Sequence, residues 1–138
     1  MKKILLILVA LAGLGGGYGY YMWNKAPESM ATRKSDMGIS SEQLYGAFQK
    51  DETAANAEYV GKIIIISGKV KESRLVEGVA KVSLEAGADD AVINCELDNN
   101  TTHPRTQFNV GETIKIKGEC AGADLDGTVM LSHCAEEK

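Results

Sequence analysis

The sequence predicts a mostly β domain, a small five-stranded barrel with one helix before its first strand, preceded by a single transmembrane helix. Three observations lead to this prediction. The chain of 138 residues opens with an uncharged run of 20 residues. A polar stretch and a capped, amphipathic helical segment follow. Five short segments rich in β-branched residues, separated by turns that contain glycine or aspartate, complete the chain and are typical of a small all-β domain.

The uncharged run, residues 4–23, predicts a membrane anchor because a helix needs about 20 apolar residues to cross the hydrocarbon core. Lys2 and Lys3 precede the run, so the positive-inside rule places the N-terminus in the cytoplasm and the rest of the chain outside. We therefore expect attachment to the inner membrane and an extracytoplasmic, periplasmic C-terminal domain. The alternative is a cleaved signal peptide whose apolar stretch is residues 4–14.

Shifts in composition divide the chain into three parts. Residues 1–25 are the predicted anchor or signal segment, residues 26–39 a polar linker without periodicity, and residues 40–138 the folded domain. From Ile39 to the C-terminus, 10 basic residues stand against 17 acidic ones, a net charge of −7. Phosphate backbones repel such a domain, so nucleic acid is an unfavourable partner.

A helix is predicted to begin at Ser40 or Ser41. Ser40 and Gln43 have the spacing of a capping box, in which each side chain bonds the backbone N–H of the other residue. Residues 51–53 can restart or kink this helix, because Asp51 can cap a second turn. The apolar positions form one stripe: Leu44, Phe48, Ala55 and Tyr59. The helical segment should therefore lie on the barrel with one face buried.

Five strands follow the helix, and their order suggests a known architecture. The predicted strands are residues 62–71, 79–85, 91–97, 113–120 and 128–134. The first begins with four consecutive isoleucines and contains Gly68, which predicts a bulge or bend. Five short strands with a bend in the first are typical of an OB-fold, a partly open Greek-key barrel. The helix that this fold usually carries between its third and fourth strands would fall in residues 98–109, which are polar and helix-poor.

Three stretches resemble the tRNA-anticodon-like OB-fold domain family, whose members are short membrane-anchored proteins or lipoproteins, often from Bacteroidetes. They are residues 21–25 (YMWNK), 54–70 (AANAEYVGKIIIISGKV) and 111–134 (GETIKIKGECAGADLDGTVMLSHC). The likeness covers most of residues 40–134, and the short 98–109 segment departs from the family's pattern. The resemblance implies an OB barrel in the cell envelope and implies no particular reaction.

A basic cluster on the first hairpin is the candidate ligand face. It consists of Lys69, Lys71, Arg74 and Lys81. OB domains that bind single strands combine a basic groove with stacking aromatic residues, and residues 79–85 and 91–97 contain no aromatic residue. We therefore expect a non-catalytic binding or assembly module of the cell envelope, with an envelope protein or glycan as ligand. The alternative function is binding of single-stranded nucleic acid.

The three cysteines allow two disulfide pairings, because an exported domain can form disulfides. The third and fifth strands of an OB barrel are parallel neighbours, which favours Cys95–Cys134. The second pairing, Cys120–Cys134, is retained as an alternative in case the last strand curls. In the third alternative, all three are buried free thiols that behave as small hydrophobic residues.

No catalytic arrangement is recognisable in the sequence. The two histidines, His103 and His133, occupy loop and strand positions from which neither a Ser-His-Asp nor a Cys-His site can be built. Zinc sites show paired ligands at short spacing, and the sequence has no such pair. We therefore expect no enzymatic activity, no catalytic residue, no metal and no cofactor.

Overall fold

A computed structural model describes residues 2–25, 28–99 and 102–138. The helices are α1 (Lys2–Asn24), α2 (Ser41–Lys50) and α3 (Glu52–Tyr59). The strands are β1 (Met37–Ser40), β2 (Ile63–Val76), β3 (Val79–Glu85), β4 (Val92–Leu97), β5 (Thr113–Ala123) and β6 (Val129–Glu137). All five predicted strands are present as β2 to β6, and β1 is an additional strand.

Five strands close into a barrel. They follow the order β2-β3-β4-β6-β5, and β2 closes the ring by pairing with β5. All neighbouring pairs among them are antiparallel except β4 and β6, which run parallel. This is the strand order of an OB-fold, so the predicted barrel architecture is confirmed. The core lies inside the ring, where alternate side chains such as Ile64, Ile66 and Val82 are fully buried.

The helical segment forms as the sequence predicts. The Ser40 hydroxyl accepts a hydrogen bond from the Gln43 N–H at 3.2 Å, and the Gln43 side chain accepts one from the Ser40 N–H at 3.4 Å. The Asp51 carboxylate accepts a hydrogen bond of 3.0 Å from the Ala54 N–H at the start of α3. The predicted apolar stripe is buried: Leu44, Phe48, Ala55 and Tyr59. Both helices therefore pack on the barrel with one face.

Gly68 lets α2 approach the barrel closely. A Cβ atom at this position would lie 2.7 Å from the Ser41 hydroxyl and 3.2 Å from the Leu84 Cβ. The sequence predicts a bulge or bend at Gly68. β2 does have an irregularity, but its register shift lies between Val70 and Glu72. β2 can therefore curve enough to pair with β5 along its first half and with β3 along its second half.

The predicted linker, residues 26–39, contributes to the folded unit. Met37, Gly38 and Ile39 belong to β1, which pairs in parallel with the first half of β2. Met30 is 1% exposed. Sequence periodicity missed these contacts because a four-residue strand and a single inserted side chain produce no repeating pattern.

α1 is a continuous helix of 23 residues. Its described apolar side chains are exposed, Leu14 by 73% and Val9 by 64%. Within the described residues, no helix is long and apolar enough to cross a membrane. The predicted anchor, like the alternative signal peptide, stays a prediction.

Candidate ligand-binding groove

A groove of about 760 Å³ lies on the outer face of β2, β3 and β4. Strand register places its side chains in rows across the sheet. Glu72, Ser83 and Asn94 form one row, which Met130 of β6 continues. The second row consists of Arg74, Lys81 and Glu96.

Side chains of β3 point alternately into the barrel core and out to the groove. Ala80, Val82 and Leu84 point into the barrel and are 3% exposed or less, whereas Lys81 and Ser83 point outward. The Ser83 hydroxyl donates a hydrogen bond of 2.7 Å to the Asn94 side-chain oxygen. The groove floor is thus built on a rigid sheet and offers hydroxyl and amide groups.

The cations of the groove are paired with acceptors. The Arg74 guanidinium donates to both carboxylate oxygens of Glu72, one of them at 2.7 Å. This hydrogen bonding lowers the pKa of Glu72. The Lys81 ammonium lies 3.4 Å from the Glu96 carboxylate, and Lys71 donates a hydrogen bond to the Asp89 carbonyl oxygen. Three cations and two carboxylates therefore leave the groove close to electrically neutral.

Three of the four predicted basic residues line this groove, and one does not. Lys71, Arg74 and Lys81 belong to its lining. Lys69 precedes the bulge and lies opposite Thr113 of β5, outside the lining. Lys69 lies before the bulge, where β2 pairs with β5, whereas the groove begins after it, where β2 pairs with β3. Strand alternation places Lys69 and Lys71 on one face and does not reveal this change of partner strand.

The uncharged part of the groove is not predicted by the sequence pattern. Ser83 and Asn94 supply polar groups, and Val76, Val92 and Met130 supply apolar surface. Once β3 and β4 are paired, their outward positions could have identified Ser83 and Asn94. Met130 could not be found in this way because its place depends on the parallel pairing of β4 with β6. The lining contains no aromatic residue.

A second cluster of charges fastens the loop between β4 and β5. The Arg105 guanidinium donates to Glu112 at 2.7 and 3.0 Å and to Glu136 at 2.6 Å. It also lies over the Phe108 ring, 4.6 Å from the ring centre. The bond from Arg105 lowers the pKa of Glu112. These contacts link the helix-poor segment to the start of β5 and the end of β6, which is a structural role.

All three cysteines are buried free thiols. Leu97 lies opposite Cys134 across the parallel β4–β6 pair, and Cys95 faces the core two residues before Leu97. Burial, together with the neighbouring Cys95 thiol, raises the pKa of Cys134 well above its usual value. The structure therefore places Cys95 and Cys134 next to each other, and the disulfide between them stays a prediction.

The alternative pairing of Cys120 with Cys134 does not fit the register. Cys120 lies opposite Leu131, three residues from Cys134. The positive φ of His133 shortens this stretch, so that Cys134 faces Gly118, two residues from Cys120 along β5. Two residues at about 3.3 Å, combined with about 5 Å between strands, give a Cα separation of about 8 Å. It exceeds the Cα separation of about 7 Å that a disulfide allows.

Both histidines contact Asp98. A His103 ring nitrogen lies 2.7 Å from the Asp98 carbonyl oxygen, and the His133 ring lies 3.7 Å from the Asp98 carboxylate. Across residues 2–25, 28–99 and 102–138, no group of three or more His, Cys, Asp or Glu side chains is arranged to hold a metal ion. These contacts fix the end of β4 against β6.

A solved structure with a TM-score above 0.5 shows the same fold. The structure of a candidate nucleic acid-binding lipoprotein from Klebsiella pneumoniae subsp. pneumoniae matches with a TM-score of 0.63 and 16% sequence identity, over 81% of this chain and 99% of that one. The structure of a candidate aspartyl-tRNA synthetase from Leishmania major Friedlin matches with a TM-score of 0.47 and 14% sequence identity. This match covers 82% of the present chain and 23% of the synthetase chain. No curated protein matches the chain. The family model described as tRNA_anti-like matches residues 1–135, and the chain therefore belongs to the tRNA_anti-like family.

Proposed function

We propose that this protein is a membrane-anchored, extracytoplasmic binding or assembly module without catalytic activity, whose barrel binds an envelope protein or glycan in the β2–β3–β4 groove. The observation that carries the proposal is the chemistry of the groove. Two of its three cations, Arg74 and Lys81, are paired with carboxylates, Lys71 is bonded to a backbone carbonyl oxygen, and hydroxyl, amide and apolar groups make up the rest of its surface. Ligand sites of this kind combine apolar surface with a few placed polar groups.

Paired charges favour a neutral, polar ligand over a polyanion. Arg74 and Lys81 already have carboxylate partners within the groove. Single-strand binding requires unpaired cations along the backbone and aromatic rings beneath the bases. A peptide or sugar can instead bond with Ser83 and Asn94 and pack on Met130 without displacing an ion pair. The same pairing supports a non-catalytic role, because both carboxylates of the groove are engaged with cations.

The location outside the cytoplasm is proposed from the N-terminal segment. Residues 4–23 carry no charge and follow two lysines. A helix of 23 residues is about 35 Å long, and the hydrocarbon core is about 30 Å thick. The fold relative from Klebsiella is described as a lipoprotein, which supports an envelope location for this chain as well. Alkaline phosphatase fused to the C-terminus should be active in cells only if the barrel is exported.

Site-specific photo-crosslinking in cells tests the groove. A photoreactive amino acid replaces Ser83 in the full chain, and a control replaces Lys115, which is exposed on β5 outside the groove. We expect the probe at position 83 to capture one defined protein or glycan that the probe at position 115 does not. A second substitution, Asn94→Arg, should remove that product. Identical products at both positions would contradict binding in the groove.

Single-stranded nucleic acid is the second candidate ligand. Lys71, Arg74 and Lys81 share one groove. The fold relative from Klebsiella is described as a candidate nucleic acid-binding protein, and it spans 81% of this chain. Titration of the full chain with labelled oligonucleotides, at several salt concentrations, separates this candidate from the first, because phosphate contacts make affinity strongly salt-dependent.

A further inference from the structure

Residues 29–36, which immediately precede β1, are fixed to the barrel, and we call them the docked segment. The segment begins with a turn in which the Thr32 N–H and hydroxyl both donate to the Ser29 carbonyl oxygen, at 3.1 and 2.9 Å. Met30 then inserts into a small apolar cluster with Ile63 and Ala135. The inserted methionine is 1% exposed, as in a protein core.

A buried lysine holds the middle of the docked segment. The Lys117 ammonium donates a hydrogen bond of 3.1 Å to the Ala31 carbonyl oxygen and lies 3.2 Å from the Glu137 carboxylate. The Lys117 side chain is only 7% exposed, so this charge depends on its two partners. Arg33 adds a longer ion pair of 3.9 Å with Glu119.

Asp36 fixes the end of the docked segment. Its carboxylate accepts a hydrogen bond of 2.9 Å from the Ile63 N–H, and its own N–H donates one of 2.7 Å to the Ile63 carbonyl oxygen. β1 follows directly and pairs with β2 from Met37 to Ser40. The attachment therefore continues without interruption from the turn at Ser29 into the sheet.

Little chain remains between this attachment and α1. α1 ends at Asn24, five residues before Ser29. Five residues span at most about 18 Å even when fully extended. The headgroup region on each side of a bilayer is several ångströms thick. If α1 spans the membrane, the docked segment consequently begins among the headgroups or within about 10 Å above them.

The outward side of the docked segment has the chemistry of a headgroup contact. Its exposed residues are Ala31, Thr32, Arg33, Lys34, Ser35 and Asp36. They include the cations Arg33 and Lys34, of which Arg33 also pairs with Glu119, and the hydroxyl groups of Thr32 and Ser35. The Asp36 carboxylate is bonded to the Ile63 N–H, and none of the six is a large apolar side chain. Such residues fit among lipid phosphates and esters and do not favour the hydrocarbon interior.

We propose that the docked segment forms the membrane-facing surface of the barrel and contacts lipid phosphates, so that the barrel is held against the bilayer in one orientation. The inference rests on the proposed anchor. This orientation also determines where the groove lies relative to the membrane. The docked segment lies against the start of β2, whereas the groove uses the second half of that strand. The groove consequently stays uncovered, at a fixed short height above the membrane.

Fluorescence quenching by spin-labelled lipid headgroups tests this orientation. The full chain is reconstituted in nanodiscs with a fluorophore on Ser35→Cys, in the docked segment, or on Leu75→Cys, at the far end of β2. The native thiols are buried, so wild-type protein provides the labelling background. We expect headgroup spin labels to remove most of the fluorescence at position 35 and little of it at position 75.

Flotation with nanodiscs and variants that detach the segment distinguish failure of the anchor from failure of the orientation. Failure of the chain to float with nanodiscs would overturn the proposed anchor, whereas flotation with equal quenching at both positions would overturn the fixed orientation alone. Met30→Asp and Lys117→Ala should detach the segment and leave the barrel free to reorient, so the difference in quenching between positions 35 and 75 should shrink. Circular dichroism must show that these variants keep the barrel. If the detached variants retain the wild-type difference, the docked segment does not set the orientation.

Discussion

The ammonium group of Lys117 lies 3.1 Å from the carbonyl oxygen of Ala31, although 86 residues separate the two in sequence. This one contact joins the segment that follows the N-terminal helix to the fourth strand of the barrel. The same ammonium lies 3.2 Å from Glu137, near the C-terminus. A buried lysine is retained at low cost only when such partners are present. The polar segment before β1 is therefore a structural part of the domain.

Replacing Lys117 by methionine should destabilise the protein. Methionine preserves the apolar stem but removes the hydrogen bond from the ammonium group to the Ala31 carbonyl oxygen and the ion pair with Glu137. A hydrogen bond from a charged group contributes about 1.5–3 kcal/mol to the free energy of unfolding. Lys115→Met is the matched control, since Lys115 is exposed on the same strand and should change stability by less than about 0.5 kcal/mol. Urea unfolding of both variants measures the difference. Equal stability of the two would show that the Lys117 contact contributes nothing.

Gly118→Ala should disturb the β5–β6 pairing. A Cβ atom at this position would lie 2.5 Å from the Cys134 sulfur and 3.2 Å from the Ser132 carbonyl oxygen. Overpacking of this kind costs about 1–3 kcal/mol. Gly46→Ala is the control, because its Cβ meets no atom within 4 Å and alanine is favoured over glycine in a helix by up to about 1 kcal/mol. The two alanines should therefore shift the melting temperature in opposite directions, and a shift in the same direction would contradict the contact.

Arg105→Gln should lower the melting temperature at neutral pH, because it removes the partner of Glu112 and Glu136 and the contact with Phe108. Arg105 lowers the pKa of Glu112 in the folded state, so this stabilisation is present above the unfolded pKa of about 4.3 and is lost as pH falls through the lower folded value. The difference between wild type and variant should consequently shrink on acidification. Arg74→Gln, with a single carboxylate partner at the surface, should have the smaller effect. A difference that does not change down to low pH would contradict the role of Glu112.

The sequence predicted the elements whose residues carry periodic or capping patterns. The isoleucines of β2, the alternation of β3 and the Ser40–Gln43 capping box all act locally, and local patterns suffice to recognise them. The Lys117 contact with Ala31 and the Arg105 cluster depend on chain segments brought together only by closure of the barrel. The residues of the candidate groove divide in the same way, into those with a local signal and those placed by strand pairing. Lys71, Arg74 and Lys81 were identified by their charge, whereas Met130 enters the groove through a parallel pairing that the strand pattern does not specify.

The cysteines should be unreactive in the folded protein. Burial raises the pKa of Cys120, and burial together with the Cys95 thiol raises that of Cys134, so little thiolate is available to an alkylating reagent at neutral pH. If exported protein forms a disulfide, it should join Cys95 and Cys134 and leave Cys120 as the thiol. Trypsin leaves Cys120 and Cys134 in one peptide, so cleavage before Asp124 or Asp126 is also needed to assign the pair by mass spectrometry. A Cys120–Cys134 link would contradict the observed register.

Binding of single-stranded nucleic acid should be weak because the carboxylates of the groove compete for its cations. Glu72 pairs with Arg74, and Glu96 pairs with Lys81. The double variant Glu72→Gln, Glu96→Gln should release both cations to phosphate. Each added phosphate contact steepens the dependence of log affinity on log salt by about 0.7 for a single strand. Fluorescence anisotropy at several salt concentrations measures both affinity and slope.

The matched control for this experiment is Glu28→Gln with Glu52→Gln, which removes the same amount of charge outside the groove. If pairing within the groove limits binding, only the groove variant gains affinity and a steeper salt dependence. An equal gain in both variants would assign the effect to net charge. Tight and strongly salt-dependent binding by the wild-type chain would contradict the proposed neutral ligand, because it would mean that phosphate displaces Glu72 and Glu96 from their partners.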